Sequence, residues 1–248
     1  SKLIRANRGA PAVNREALEE MILRVAEMAC ELPSIVEMDM NPVVASPSGA
    51  VAVDARIVVA RHNEAARPYD HMAIHPYPRE LVQSSELSDG TRITIRPIRP
   101  EDAIMEREFV NNLSERSRYL RFMYSLREIT PDQLSRFTQI DYDREMALVA
   151  VTGKPGEEVQ TGVARYSTLP DSNSCEFAIV IADDWQHRGV ARRLMAALIE
   201  AARLRRYTRM EGTVLVENQR MLQFVKSLGF SVEPSADDIK LAEVVLEL

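Results

Sequence analysis

DDWQHRGVARRLMAALIEAARLRR, residues 183–206, is the stretch from which the rest of the chain is read. Val190, Leu194, Ala197, Leu198 and Ala201 fall on one helical face, so the spacing predicts a helix beginning near Arg188. Arg188, Arg192 and Arg193 crowd its first turns, where the helix dipole already supplies partial positive charge. An anion is expected to offset them. A helix N-terminus also offers unpaired backbone N–H groups, and Gly189 lets a bulky anion come close to the main chain, so a diphosphate suits the position best. The apolar stretch CEFAIVI, residues 175–181, precedes it as a strand and completes the strand, turn and helix arrangement that holds a pyrophosphate. An ordinary arginine-rich helix start satisfies the same six residues, QHRGVA, and the remaining chain has to separate the two readings.

Composition narrows the classes. At 248 residues the chain has room for two ordinary domains, and 46% hydrophobic with 27% charged residues is the balance of a globular protein with a real core. A net charge of −6 argues against a broad nucleic-acid surface, and the local cluster Arg203, Arg205, Arg206 and Arg209 suits a helix C-terminus. Two cysteines, Cys30 and Cys175, form neither a disulfide framework nor a ligand set for zinc, which fits a reducing compartment. The N-terminus lacks an apolar signal region and nowhere do about 18 uncharged apolar residues run together, so a cytoplasmic protein with no membrane partner is expected.

In chain order, Leu18, Met21, Ile22, Val25, Met28 and Ala29 predict a helix over 14–31 with Asn14 as cap, and 35–44 and 50–59 predict two strands joined at Ser46-Pro47-Ser48-Gly49. Glu37, Asp39 and Asn41 share one face there, with Asp54 arriving from the second strand, an oxygen set that suits Mg²⁺ or simply a solvated polar face. Residues 61–86 are rich in Pro, His and Ser and are expected as a linker, with His62, His71 and His75 spread too irregularly for a metal site. Then follow a strand at 91–96, helices near 101–113, 114–124 and 131–139, strands at 146–151, 160–167 and 175–181, the Arg-rich helix, a strand at 209–216, a helix at 218–228 stopped by Gly229, and a strand at 239–248.

QHRGVA resembles the pyrophosphate-binding signature of the GNAT N-acetyltransferases, with Ala191 where many members carry glycine, and the element order from residue 87 to 248 is that of the same family. A second stretch, ENQRML followed by LGF, resembles the family's closing motif, in which an asparagine, here Asn218, reaches the cofactor. The resemblance implies an α/β (α+β) fold with a mixed central sheet. It also implies acetyl-CoA as cofactor, held by Ala178, Ile179, Val180, Gln186, His187, Arg188, Gly189, Val190, Ala191, Arg192 and Asn218.

Transfer of an acyl group to an amine needs a base, because a lysine amine with a solution pKa near ~10.4 is almost fully protonated at neutral pH. Glu176, a charged residue inside an apolar strand, is the candidate, and Phe177 and Ile179 are expected to strip water from it; a surface carboxylate on an exposed strand face is the alternative. The family resemblance agrees with the base. Main-chain N–H groups around Ala178 are expected to polarise the thioester. Cys175 would allow an acyl-cysteine route, but alternation puts it on the opposite face from Glu176 and it is read as core. Family members often place a tyrosine on the last helix as acid; Phe224 and Val225 stand there, leaving that role unassigned.

Residues 1–60, through EMDMNPVV and VAVDARIVV, resemble the C-terminal end of the ATP-grasp domain of ADP-forming acyl-CoA synthetases, in which residues matching Asn41 and Asp54 hold nucleotide-bound Mg²⁺. Only that end is present, so ATP and Mg²⁺ are expected to bind only if the upstream part were present. The combination, 1–60 synthetase-like fragment, 61–86 linker and 87–248 acetyltransferase, resembles the bacterial protein acetyltransferases of the Pat type. That implies a protein lysine as acceptor, with an AMP-forming acyl-CoA synthetase as partner, met by an acidic chain at a basic loop. Two other readings stay open: an acyl-CoA-sensing regulatory module, and a small-molecule amine acetyltransferase fused to an ADP-forming synthetase.

Overall fold

A computed structural model describes residues 12–61, 69, 71–72, 74–124, 128–154, 156–170 and 173–248. The chain divides into two compact units, Ser1–Pro76 and Tyr77–Leu248. In the first, helix α1 (Arg15–Glu31) starts at Asn14, whose side chain accepts from the Ala17 N–H at 3.0 Å. Each of the two strands expected after it is broken in two: β1 (Ile35–Met40) and β4 (Ala55–Val59) pair with each other, and β2 (Val43–Ser46) pairs with β3 (Gly49–Ala52) across the expected turn. The interruption falls at Pro42, which has no N–H to give to a ladder. Bonds from Asn41 N–H to Asp54 O and from Val53 N–H to Pro42 O carry the pairing across the break.

The second unit is built on one eight-stranded sheet. Its strands are β5 (Gln83–Glu86), β6 (Arg92–Pro97), β7 (Glu145–Thr152), β8 (Val159–Thr168), β9 (Ser174–Ile181), β10 (Arg209–Leu215), β11 (Ser231–Pro234) and β12 (Leu241–Glu247). They lie in the order β11-β12-β10-β9-β8-β7-β6-β5, all neighbours antiparallel except β9 and β10, so the sheet is mixed. Helices α2 (Ala103–Asn112), α3 (Glu115–Phe122), α4 (Pro131–Thr138), α5 (Val190–Leu204) and α6 (Gln219–Lys226) complete the unit.

Alternation along the strands sorts the core into two layers. Met146, Leu148, Ala150, Ala164, Tyr166, Cys175, Phe177 and Ile181 face Val190, Leu194, Met195 and Leu198 of α5. Ala147, Val149, Val151 and Val163 face Phe109 and Val110 of α2 and Leu134 and Phe137 of α4. Because both faces of β7 are covered, its sequence MALVAV is a continuous apolar run. The turn from β6 into α2 is held by the buried Arg96, whose guanidinium forks onto Asp102 at 2.7 and 2.8 Å and reaches Glu158 at 2.9 Å.

The expected linker 61–86 is not uniform. Residues 83–86 form the edge strand β5, preceded by a short 3-10 helix (Arg79–Leu81), and Leu87 is buried. QSSE is a polar edge strand with no buried face, which is why its pattern does not read as a strand. The four-residue β11, SVEP, goes unread for the same reason.

Candidate active site

Strands β9 and β10 run parallel and pair over three residues only, ending at Glu176 opposite Glu211. Close approach at that point depends on Gly212, where a Cβ would come 2.8 Å from the Phe177 ring and 3.2 Å from its carbonyl oxygen. Beyond it the two strands lose their ladder, and main-chain groups of 177–181 on the β10 side face a cleft of about 1090 Å³ instead of a neighbouring strand. Ala178, Ile179 and Val180 line it from one side, Thr213 and Val214 from the other, and Asn218 and Phe224 of the α6 region close one end.

The loop 186–189 and the start of α5 form the opposite end. His187 and Gly189 take positive φ, 63° and 89°, on either side of Arg188, a conformation that turns the chain sharply into the helix. The helix has no side-chain cap and no acid in its first turn, and among the described residues no protein acceptor takes the amides of Val190, Ala191 and Arg192. Gln186, His187, Gly189, Ala191 and Arg192 line the cleft. Gln186 is also structural, donating from Nε2 to the Ile181 carbonyl at 3.3 Å. The Val190 side chain is fully buried in the α5 core, so only its main chain is available to a ligand.

The three arginines differ from the expectation that an anion offsets all of them. Arg188 pairs with Asp89, donates to Thr91 Oγ1 at 3.2 Å and stacks 4.1 Å over the Trp185 ring. The hydrogen bond from Arg188, with those from Thr91, holds the Asp89 carboxyl well below the usual carboxylate range. Arg193 donates to Ser85 Oγ and to the Glu86 carbonyl, each at 2.6 Å. Two of the three cations are therefore spent on the β5–β6 hairpin, which braces the loop. Arg192 remains in the cleft, with Nη2 on Ser227 Oγ at 2.9 Å. Asn218 caps α6, its Oδ1 accepting from Met221 N–H at 3.2 Å, which leaves its amide NH₂ for the cleft.

Glu176 sits where the cleft meets a second pocket of about 540 Å³ under α4. Register places Glu176 opposite Ser167, and Ala178 opposite Arg165, so these side chains share the α2/α4 face of the sheet. Phe177 and Ile179 pack on the other face, in the α5 core. The apolar shielding expected from them is therefore missing, and Glu176 is exposed. Cys175, on the α5 face, is completely buried, and burial with the nearby Glu211 pushes its thiol up to about 12, which keeps it protonated and unreactive at neutral pH.

Three features of the site have little signature in the sequence. Ser114 and Ser117 donate to Asp183, tying α3 to the end of β9 at 2.7 to 2.8 Å; burial pushes that carboxyl up, but these bonds outweigh it and hold it low. The brace brings Arg121 of α3 to the junction of the two pockets. Arg165 lies beside it, its Nη2 on the Phe137 carbonyl at 3.2 Å and 3.7 Å from the buried Glu106. The one available signal for Arg165 is a charge in the otherwise buried run TGVARY.

In the first unit Asn41 and Asp54 are neighbours at one end of the β1–β4 pair, and both are exposed. Asp54 Oδ1 already accepts from Ala55 N–H at 3.0 Å. Two such groups could complete a Mg²⁺ shell only with nucleotide phosphates and water, and among the described residues no group of three His, Cys, Asp or Glu is placed to hold a metal. His71 bonds the Ala29 carbonyl at 2.8 Å; His62 lies outside the described residues. Among the described residues no helix is long and apolar enough to cross a membrane.

Comparison with known proteins agrees with this geometry. A family model for the acetyltransferase (GNAT) domain matches residues 92–231, and one for the ATP-grasp domain matches residues 1–59. An acetyltransferase of Pseudomonas aeruginosa is 37% identical over 152 residues, 61% of this chain and 82% of that protein. The beta subunit of an ADP-forming acetate–CoA ligase from Pyrococcus furiosus is 50% identical over 52 residues, 21% of this chain but only 22% of that subunit. Among solved structures, the GNAT domain of S. lividans PAT superposes with a TM-score of 0.64 at 25% identity, covering 70% of this chain and 100% of that domain. With a matching family model over more than half its length, on a fold and cleft of the same kind, the chain belongs to the GNAT acetyltransferase family and is an acyl-CoA-dependent N-acetyltransferase.

Proposed function

We propose that this chain acetylates a lysine amine of a protein, using acetyl-CoA, with Glu176 as the group that receives the amine's proton. The observation that carries the reading is the uncapped start of α5 opening into the same cleft that Glu176 borders. The amides of Val190, Ala191 and Arg192, with the Arg192 guanidinium, are the donors for a diphosphate, and Gly189 leaves room for its close approach. The unpaired main-chain edge of 178–180 orients an amide-rich chain lying along it, and the free NH₂ of Asn218 adds a donor at the far end. Bound acetyl-CoA supplies an acyl carbon already activated as a thioester.

Every other task belongs to the protein. Glu176, exposed at the mouth of both pockets, takes the proton from the amine, directly or through one water, so that the neutral nitrogen forms the new C–N bond as the C–S bond breaks. Main-chain N–H groups of the open β9 edge are preorganised donors beside that point and steady the carbonyl oxygen. Phe224 and Val225 supply no acid, and the coenzyme A thiolate leaves without one. Similarity to the Pat-type arrangement supports a protein acceptor, with an AMP-forming acyl-CoA synthetase as the first candidate. Intact-mass analysis of such a synthetase with acetyl-CoA tests this. The wild-type chain should add 42 Da units, on the order of one per site, and Glu176→Gln should slow the addition by about 10²–10⁴-fold without weakening coenzyme A binding. Equal rates for the two proteins would remove Glu176 from the mechanism.

A further inference from the structure

The second pocket lies against Glu176 on the side away from the diphosphate loop, and it shares Arg121, Glu176, Phe177 and Ala178 with the main cleft. An acceptor that must present its nitrogen to Glu176 has this pocket to occupy. Both signs of charge line it, Arg121, Arg136 and Arg165 with Asp141, Glu145 and Glu176, and of these arginines only Arg121 also lines the main cleft.

Arg121 is distinct among these arginines. Arg96 is paired with Asp102 and Glu158, Arg165 with Glu106 and the Phe137 carbonyl, Arg188 with Asp89, and Arg193 with Ser85 and Glu86. Arg121 only stacks 5.0 Å from the Phe122 ring, and among the described residues it has no hydrogen bond and no ion pair. Burial, then the neighbouring Arg165, push its guanidinium down to about 10 against the pull of Glu106 and Glu176, neither of which bonds it, so it is still a full cation at neutral pH. Half-buried arginines are found with planar anions because the guanidinium forks onto both oxygens of a carboxylate.

Resting on the reading of Glu176 as proton acceptor, we propose that the pocket under α4 is the acceptor site and selects an amine whose molecule also carries a carboxylate, bound by Arg121. The carboxylate has two possible sources with one chemistry: a free α-carboxylate or an acidic side chain beside a lysine in a polypeptide. Either one gives the Arg121 guanidinium a partner as the amine meets Glu176. This reverses the charge expected from the acidic chain as a whole, which pointed to a basic loop as the target.

The test uses the full chain, acetyl-CoA and two matched pairs of acceptors, with release of the coenzyme A thiol as readout. Nα-acetyl-lysine against its C-terminal amide isolates the free carboxylate, and a neutral peptide with Asp beside its one lysine against the same peptide with Asn isolates the side chain. The carboxylate member of at least one pair should react with kcat/KM about tenfold higher or more, a factor typical of one charge-assisted bond. Arg121→Gln should bring that ratio near one while leaving KM for acetyl-CoA unchanged, and Arg121→Lys should retain part of it. A ratio near one in both wild-type pairs overturns the proposal. So does a preference that survives Arg121→Gln, or an equal loss for both members of a pair, which would make Arg121 a neighbour of Glu176 and nothing more. Should no acceptor turn over, the proposed function fails, and calorimetry with coenzyme A present still decides this point: Nα-acetyl-lysine must bind more tightly than its amide to wild type and no more tightly to Arg121→Gln.

Discussion

Replacing Gly189 by alanine puts a side chain on a residue whose φ is 89°, at the last turn before α5. An L-residue in the left-handed region costs roughly 1–2 kcal/mol, and 89° lies well past the favoured value near ~57°, so the upper end applies. The new Cβ would also stand 2.9 Å from Arg193 Nη1, so the arginine that bonds Ser85 and Glu86 must shift. If the loop holds, the strain falls on the folded state and lowers the thermal midpoint by about 2–4 °C per kcal/mol. If the loop relaxes, the amides of Val190 to Arg192 turn away from the cleft, and each charge-assisted hydrogen bond lost is about 1.5–3 kcal/mol, or about one to two decades in affinity. Titration calorimetry should therefore show coenzyme A binding weakened about tenfold or more. Gly156→Ala is the matched control, with φ 86° and no atom within 4 Å of the added Cβ: the same backbone strain, placed away from the cleft. It should lose comparable stability and bind coenzyme A as wild type does. Equal affinities for both variants would refute the assignment of the α5 start as the diphosphate site.

Three further outcomes follow from the buried charges and thiols. Ellman's reagent at pH 8 should titrate Cys30 in the native protein but reach the completely buried Cys175 only after unfolding. Because the Cys175 thiol titrates near 9.0 when unfolded and about 12 when folded, the unfolded chain sheds its proton first. Stability is then lost as pH rises from 9 to 12, with the upward-shifted Tyr142 and Tyr166 acting in the same direction; the urea midpoint should fall over that window and fall less steeply in Cys175→Ala. Asp102→Ala leaves the buried Arg96 with Glu158 alone, and should cost about 3–5 kcal/mol in chemical denaturation, most of it recovered when Arg96 is also replaced by methionine.

The amphipathic elements were legible because each presents a period. The apolar stripe of α5, the cap Asn14 and the buried run of β7 all express local packing that the sequence itself carries. The loop before α5 was legible for a different reason: glycine at a positive φ and an uncapped helix start are local requirements, written within six residues. What the sequence left obscure depends on partners far apart in the chain. Nothing near Arg188 or Arg193 announces Asp89, Ser85 or Glu86 about a hundred positions upstream, so both cations looked available to a ligand. The exposure of Glu176 was misjudged because Phe177 and Ile179, its neighbours in sequence, are across the sheet from it in space. Nothing in its own helix sets Arg121 apart from Arg116 and Arg118, since its place at the pocket junction comes from the Ser114 and Ser117 bonds to Asp183.

The hairpin of β5 and β6 bears on how this catalytic unit is to be delimited. The matching family model begins at residue 92, after Ser85, Glu86 and Asp89 have passed. A polypeptide trimmed to that boundary would keep the whole loop 186–189 and the whole cleft lining, yet it would set two arginines loose beside the start of α5 and unpair one edge of the sheet. Such a fragment would gain two unpaired cations at the mouth of its cleft, and with them a broader attraction for polyanions. The shortest faithful version of the enzyme therefore starts no later than Tyr77.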